Sequence, residues 1–276
     1  MLLSRLEARL HALGTQRVED LYYLPGPTAL RLLSLGHREA AADLVWARSL
    51  VYFGEQIALR GRLEYLTDHV DAVIGLDPAF RDAYVWASVV TVYNSRYITR
   101  RSIETSNRYL ELALEQFPRD GNLMELLAFN YAIEMPVHAR DPGEKDTFRR
   151  KAAQLYARAS RMPGSARTAG FMAVEMYTKA GMQKLAEQHL RQLYVFSNDA
   201  QVRRRAEARL MDLVGEEEAE DALAEGRALF EGWRREYPYI PPDLYVLTGP
   251  RFGLADRDGA EEPQADAGPD AAPGDP

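Results

Sequence analysis

The chain contains no cysteine, which excludes disulfide frameworks, cysteine zinc sites and thiol catalysis. Lysine is scarce too: of 34 basic residues only Lys145, Lys151, Lys179 and Lys184 are lysines, leaving 30 arginines. Beside so much alanine, this reads as the coding bias of a GC-rich genome rather than as a binding surface. No run of 18 apolar residues occurs, so the sequence predicts no membrane span. A glycine-rich phosphate loop and a nucleophile elbow are both missing. His11, His37, His69, His138 and His189 show no metal-ligand spacing, and each is expected at the surface or half-buried. Glu134 and His138 flank a long insertion and read as a solvated loop, while Glu216, Glu217 and Glu218 read as an exposed helix start that complements the helix dipole. The expectation is a protein that is not an enzyme, with no catalytic residue, no cofactor and no metal.

What is present is an ordinary folded chain. Its 276 residues suit one elongated or two compact domains, and 46% apolar with 27% charged residues is the usual balance of a soluble protein. The net charge of −7 is concentrated at one end. The segment 255–276 holds seven acids against Arg257, so the body is close to neutral. Rich in Ala, Pro, Gly and Asp and without aromatics, that acidic tail is predicted to be disordered. At the other end, MLLSRLEARLHALG places Leu3, Leu6, Leu10 and Leu13 on one helical face, stopped by Gly14. Its charged residues and the lack of a cleavage site argue against a secretory signal.

The stretch Leu50–Pro78, LVYFGEQIALRGRLEYLTDHVDAVIGLDP, carries the organisation. Leu50, Phe53, Gly54, Ile57, Leu66, Val70, Val73 and Pro78 are separated by 3, 1, 3, 9, 4, 3 and 5 residues. Leu50, Phe53 and Ile57 are predicted to form the buried stripe of a first helix, and Leu66, Val70 and Val73 that of a second. Gly54 is assigned to a close approach of the pair, and Pro78 to the stop. A second unit has Tyr84, Ala87, Ser88 and Thr91, then Ser106, Leu110 and Ala113, ending at Pro118. A third has Met124, Leu127, Ala128 and Tyr131, then Ala152, Tyr156 and Ala159, ending at Pro163, with EMPVHARDPGEKDT as an inserted loop of about twelve residues. A fourth has Tyr177, the turn Lys179-Ala180-Gly181, then Ala186, Leu190 and Leu193.

These spacings resemble the tetratricopeptide repeat family. Within it, LSLGHREAAADLVWARSLVYFGE is similar to a segment near the start of uncharacterised bacterial repeat proteins, through Leu35, Gly36, Ala42, Asp43, Leu44, Trp46, Arg48, Tyr52 and Gly54. The resemblance implies an all-α fold, a right-handed superhelical solenoid of helix pairs. The expected layout is an N-terminal helix with a proline-containing lead-in over 1–36, four degenerate units over 37–198, capping helices with an irregular segment over 199–254, and the tail. Tyr239, Leu244 and Tyr245 in that irregular segment are expected to be buried against the last helix. Relatives of this kind often carry an upstream membrane anchor. The chain is therefore expected to be cytoplasmic as written, and membrane-associated if such an anchor precedes this start.

The resemblance also implies where a partner binds, along the concave surface made by first helices. Carrying those positions over gives Arg48, Val51 and Glu55, then Asp82, Val85, Val89 and Tyr93, then Glu125 and Phe129, then Phe171 and Glu175. Such a lining, apolar and edged by carboxylates, suits a protein or peptide segment bearing Arg or Lys, and it lacks the Lys/Asn clamp with which some relatives hold a terminal carboxylate. The expected function is a non-catalytic scaffold, part of a bacterial envelope or regulatory assembly. The alternative is an RNA-binding helical-repeat protein that uses Arg96, Arg100, Arg101 and Arg108 with Tyr93 and Tyr97. The near-neutral body argues against it.

Overall fold

A computed structural model describes residues 24–59, 63, 65–93, 97–197 and 199–240. The helix expected at the N-terminus, Leu244, Tyr245, Arg96 and the acidic tail lie outside the described residues. Among the described residues every regular element is helical: α1 Pro27–Leu33, α2 Arg38–Leu59, α3 Leu66–Leu76, α4 Arg81–Tyr93, α5 Arg100–Gln116, α6 Gly121–Phe129, a π-helical turn Asn130–Glu134, α7 Met135–Val137, α8 Pro142–Ala159, α9 Ala169–Lys179, α10 Gln183–Phe196, α11 Ala200–Val214 and α12 Glu216–Glu236. The protein is all-α. Among the described residues, no helix is long and apolar enough to cross a membrane. The chain divides into two compact units, Met1–Gly181 and Met182–Pro276. That boundary falls at the turn assigned to the middle of the fourth repeat.

In the first unit, helices pack on their neighbours in sequence: α2 on α3, α4 on α5, α6 on α8 and α8 on α9. The predicted second-helix stripes are the buried ones. Leu66, Val70 and Val73 on α3, Ser106, Leu110 and Ala113 on α5, and Ala152, Tyr156 and Ala159 on α8 are all shielded from solvent. The turns that follow α3 and α5 are copies of each other. The Asp77 and Phe117 N–H groups donate to Val73 and Ala113, both at 2.8 Å, and the Phe80 and Asp120 N–H groups donate to Asp77 and Phe117 at 3.2 and 3.1 Å. Each proline lies just past its helix, where a missing N–H costs nothing.

A ladder of side-chain contacts repeats at nearly the same spacing. Arg81 Nε donates to Asp120 across 39 residues, Lys151 Nζ to Glu111 across 40, Arg158 to the Pro118 carbonyl across 40, and Ser165 Oγ to Glu125 across 40. Arg108 reaches Asp71 across 37 and Arg100 reaches Glu144 across 44. Equivalent places in successive helix pairs are thus tied together.

The first pair departs from expectation. Its buried face on α2 is Ala42, Val45, Ser49 and Tyr52, while Leu50 and Ile57 are exposed. Tyr52 sets this register. Its ring stacks on buried His69 of α3 at 5.4 Å and 8°, and its hydroxyl accepts from the Tyr65 N–H at 3.4 Å. Gly54 accordingly faces outward, and a Cβ there would meet nothing within 4 Å, so it is not the contact point of the pair. The close approach is at Gly121, the first residue of α6. A Cβ at that position would lie 2.9 Å from both the Pro163 carbonyl oxygen and Ser165 Cβ.

The insertion in the third pair is mostly helix rather than loop. The first helix of that pair continues through the π turn to Val137, and α8 already begins at Pro142. Asp141 caps α8, accepting from the Glu144 N–H at 2.8 Å, with Pro142 at the first helical position, where proline's fixed φ suits a helix start. The π turn has a local cause: in a regular α-helix the Pro136 ring would collide with the Ala132 carbonyl, and a widened turn relieves that collision. Inside it, Asn130 Nδ2 donates to Ser106 Oγ at 2.9 Å and to Asn107 Oδ1 at 2.8 Å, with all three residues buried.

The second unit contains α10, α11 and α12, with α11 against α10 and α12 against both. The predicted stripe residues Ala186 and Leu190 are buried. Asp199 caps α11 by accepting from the Gln201 N–H at 2.8 Å. Gly215, at φ 91°, separates α11 from α12, a conformation in which glycine has no Cβ to strain. Val195 and Leu229 form a core with Tyr194, Phe196, Trp233 and Ile240 packed around it. After α12 the chain folds back, and Trp233 Nε1 donates to the Ile240 carbonyl at 2.7 Å. Tyr239, expected to be buried there, is exposed. Trp233 and Ile240 make the contact instead. His69 and His189, expected at or near the surface, are buried. His69 Nδ1 bonds the Tyr65 carbonyl at 2.8 Å, so this ring is a packing element of the α2–α3 pair.

Candidate functional site

The first helices of the first unit lie beside one another. Trp46 and Phe53 on α2 meet Trp86 on α4 edge-on, with centroids 5.0 and 5.4 Å apart. Arg81 at the start of α4 reaches Asp120 and Asn122 at the start of α6. The turn before α9 is held to α6 by Glu125, which accepts from Ser165 Oγ at 2.6 Å and from the Ala166 N–H. Among the apolar side chains left exposed are Val51 of α2, Val89 of α4, Phe129 of α6 and Ile133 of the π turn, with relative exposures of 60%, 43%, 40% and 44%. Val89 and Phe129 hold the same place in successive units, 40 residues apart, while Val51 lies one turn earlier on its helix and Ile133 one turn beyond Phe129.

Arg48 and Glu55 are exposed on α2 beside Val51. Asp82 is exposed on α4, with its carboxylate 3.8 Å from Arg81, and Val85 is half-buried. Tyr93 ends α4, and its side chain is outside the described residues. Glu125 is half-buried and committed to the turn before α9. Glu175 is exposed and paired with Lys179 at 2.6 Å. Phe171, expected to join Phe129 as the floor of one groove, is buried at 9% exposure. Of the apolar residues expected to line the groove, Val51, Val89 and Phe129 are exposed, and Ile133 is exposed one turn beyond Phe129.

The charges at the groove positions are mixed, since Arg48 stands with Glu55 on α2 and the carboxylates of Asp82 and Glu175 each have a cation within 4 Å. Burial, followed by the carboxylates of Glu125 and Glu175, pushes the Tyr156 phenol up to about 12. At the starts of α4 and α6, burial raises the Asp120 carboxyl, but hydrogen bonds from Arg81 and from the Leu123 N–H outweigh it and leave the group below its ordinary value. The hydrogen bond from Arg100, with one from the Arg140 N–H, holds Glu144 below its ordinary value as well.

Two of the arginines proposed for nucleic acid, Arg100 and Arg108, are occupied by carboxylates. Arg100 pairs with Glu104 at 2.8 Å and with Glu144 at 2.9 Å. Arg108 pairs with Asp71 at 3.1 Å and covers the Tyr109 ring at 4.4 Å. Among the described residues, no group of three or more His, Asp and Glu side chains is arranged to hold a metal ion.

A second constellation, in the second unit, was not visible as a motif. Tyr194, Val195, Arg203, Gly226, Arg227, Phe230, Glu231 and Arg234 line one cavity of about 220 Å³. The available signal was the spacing of Arg227, Phe230, Glu231 and Arg234, which puts them on one face of α12. Compared with protein-family models, curated proteins and solved structures, the chain matches none.

Proposed function

We propose that the first unit is a tetratricopeptide-like helical-repeat scaffold, a right-handed solenoid whose first helices present a groove for a protein or peptide segment. The 40-residue copy of the inter-pair turns and the contact ladder at 37 to 44 residues support the repeat reading. One observation carries the binding reading: Val51, Val89, Phe129 and Ile133 are exposed on three successive first helices, with Val89 and Phe129 at the same repeat position. A protein exposes single apolar residues routinely, but an aligned set is characteristic of interaction sites. With Asp82 exposed and Glu55 on the same face, the partner should pair an apolar stripe with Arg or Lys. The role is non-catalytic, as part of a bacterial envelope or regulatory assembly.

The test is partner capture by the immobilised chain beside a Val89→Ser/Phe129→Ser variant, with the melting curve of each. Proteins held by the first and lost by the second, and released by salt in proportion to their positive charge, support the groove. Equal capture by a folded variant refutes it. Retention of the protein on heparin at moderate salt would favour RNA binding, against which the pairing of Arg100 and Arg108 already argues.

A further inference from the structure

The cavity of the second unit is built from two turns of α12 facing the end of α10 and the start of α11. Gly226 makes the junction possible. A Cβ there would lie 3.0 Å from Val195 Cγ2 and 3.3 Å from Tyr194 Cδ1. Arg203 Nη1 donates to the Ser197 carbonyl at 3.0 Å, which fixes its guanidinium. Two cations lie against the Phe230 ring, with Arg203 Cζ 5.7 Å and Arg234 Cζ 4.8 Å from its centroid. Arg227 lies one turn before Phe230 and Glu231 and lines the same space.

Several arginines of this protein have carboxylate partners, as in Arg81–Asp120, Arg100–Glu144, Arg108–Asp71 and Arg191–Glu187. Among the described residues, no ion pair joins Arg203, Arg227 or Arg234 to a carboxylate. Three like charges brought to one cavity repel one another. Set against Glu231, they leave an excess of two positive charges, which is the charge a phosphate monoester balances at neutral pH. Guanidinium groups also match phosphate geometry through paired N–H donors. A volume of about 220 Å³ holds roughly seven waters, more than a bare phosphate needs. The surplus lies against Tyr194 and Val195.

We infer that this cavity binds a phosphate monoester carried on a small organic group, with Arg203, Arg227 and Arg234 holding the phosphate and Tyr194 and Val195 contacting the organic part. The chemistry is shared by a free sugar phosphate and a phosphorylated side chain. This site lies in the second unit and is independent of the groove reading for the first.

Isothermal titration of the full chain with inorganic phosphate, glycerol 3-phosphate and a short phosphoserine peptide tests it. Both monoesters should bind saturably and more tightly than inorganic phosphate. The tighter of the two identifies the source as a free metabolite or a phosphorylated chain. Arg227→Gln should weaken both by roughly tenfold or more, since each removed charge-assisted bond is worth that much. Arg227 is exposed, and a circular dichroism melt verifies that the variant is folded. Glu231→Gln should tighten binding, a gain that damage to the fold would not produce. Absence of saturable binding by either monoester overturns the inference. So does binding that Arg227→Gln leaves intact, or binding that a single-stranded oligonucleotide displaces at equal phosphate concentration.

Discussion

Replacing Gly121 by alanine should destabilise the protein, whereas the same change at Gly54 should stabilise it. At Gly121 the new Cβ would sit 2.9 Å from the Pro163 carbonyl oxygen, 2.9 Å from Ser165 Cβ and 3.0 Å from the Ser165 nitrogen. Two of those atoms are backbone, in a turn that also bonds the Gly121 N–H through the Pro163 carbonyl at 3.0 Å. The turn is further tied to α6 by Glu125, so it cannot retreat without loosening those bonds. Forcing one methyl into such a contact costs about 1–3 kcal/mol. The helix-propensity gain from removing a glycine, about 0.5–1 kcal/mol, is small at Gly121 because it is only the first residue of α6. At Gly54, well inside α2 with no atom within 4 Å of the added Cβ, that gain is realised in full.

In a unit of this size 1 kcal/mol moves the melting temperature by about 2–4 °C. Thermal unfolding followed by circular dichroism should therefore place Gly121→Ala several degrees below the parent and Gly54→Ala at or slightly above it. If Gly121→Ala melts with the parent, the Pro163–Ser165 turn yields freely and the pair is not fixed by that contact. If Gly54→Ala melts earlier, Gly54 is a contact point after all, and the register of α2 described above is wrong.

The two aromatics assigned to one groove should separate in the same assay. Phe171→Ala, at a buried site, should cost about 3–5 kcal/mol, and Phe129→Ala only about 1 kcal/mol because much of its surface stays in water; equal losses would contradict their different burial. Acid should unpick the tie between the second and third pairs. The Asp120 carboxyl is held below its ordinary value, so its contribution is present above the unfolded pKa, near 4, and is lost as pH falls through the lower folded value. In Asp120→Asn the cap survives, since asparagine also caps helices, but the charge opposite Arg81 is gone. The stability gap between parent and variant, measured by denaturant unfolding, should thus hold from pH 7 to about 5 and close below about 4; a gap independent of pH would exclude the ion pair as its source.

The second helices were legible because their apolar residues are few and cleanly spaced. Val70 and Val73, Leu110 and Ala113, and Tyr156 and Ala159 leave one possible buried face each. In α2 the sequence offers Leu44, Val45, Trp46, Leu50, Val51, Tyr52, Phe53 and Ile57, which surround the helix and allow several stripes. Tertiary contact makes the choice: Tyr52 stacks on His69, and Leu50 turns out to solvent with Ile57. Nothing local to α2 encodes that partner. Gly121 was hidden for the same reason, since its constraint comes from Pro163 and Ser165, more than forty residues on.

The site was less legible than the fold because repeat position predicts which way a side chain points, and not what lies opposite it. Phe129 and Phe171 were assigned to the same side of successive first helices, yet one is exposed and the other buried. Glu125 and Glu175 were both assigned to a partner, but Glu125 secures the turn before α9 and Glu175 pairs with Lys179. Arginine shows the converse. Arg100 and Arg108, clustered in sequence, are neutralised in space by Glu144 and Asp71. Arg203 and Arg234, thirty-one positions apart, converge on Phe230 with no carboxylate paired to either among the described residues. Charge counted along the chain pointed to the first group because its arginines are adjacent and their counter-charges distant. Only the packing of α10, α11 and α12 brings the second group to one cavity, and there the local excess of positive charge survives folding.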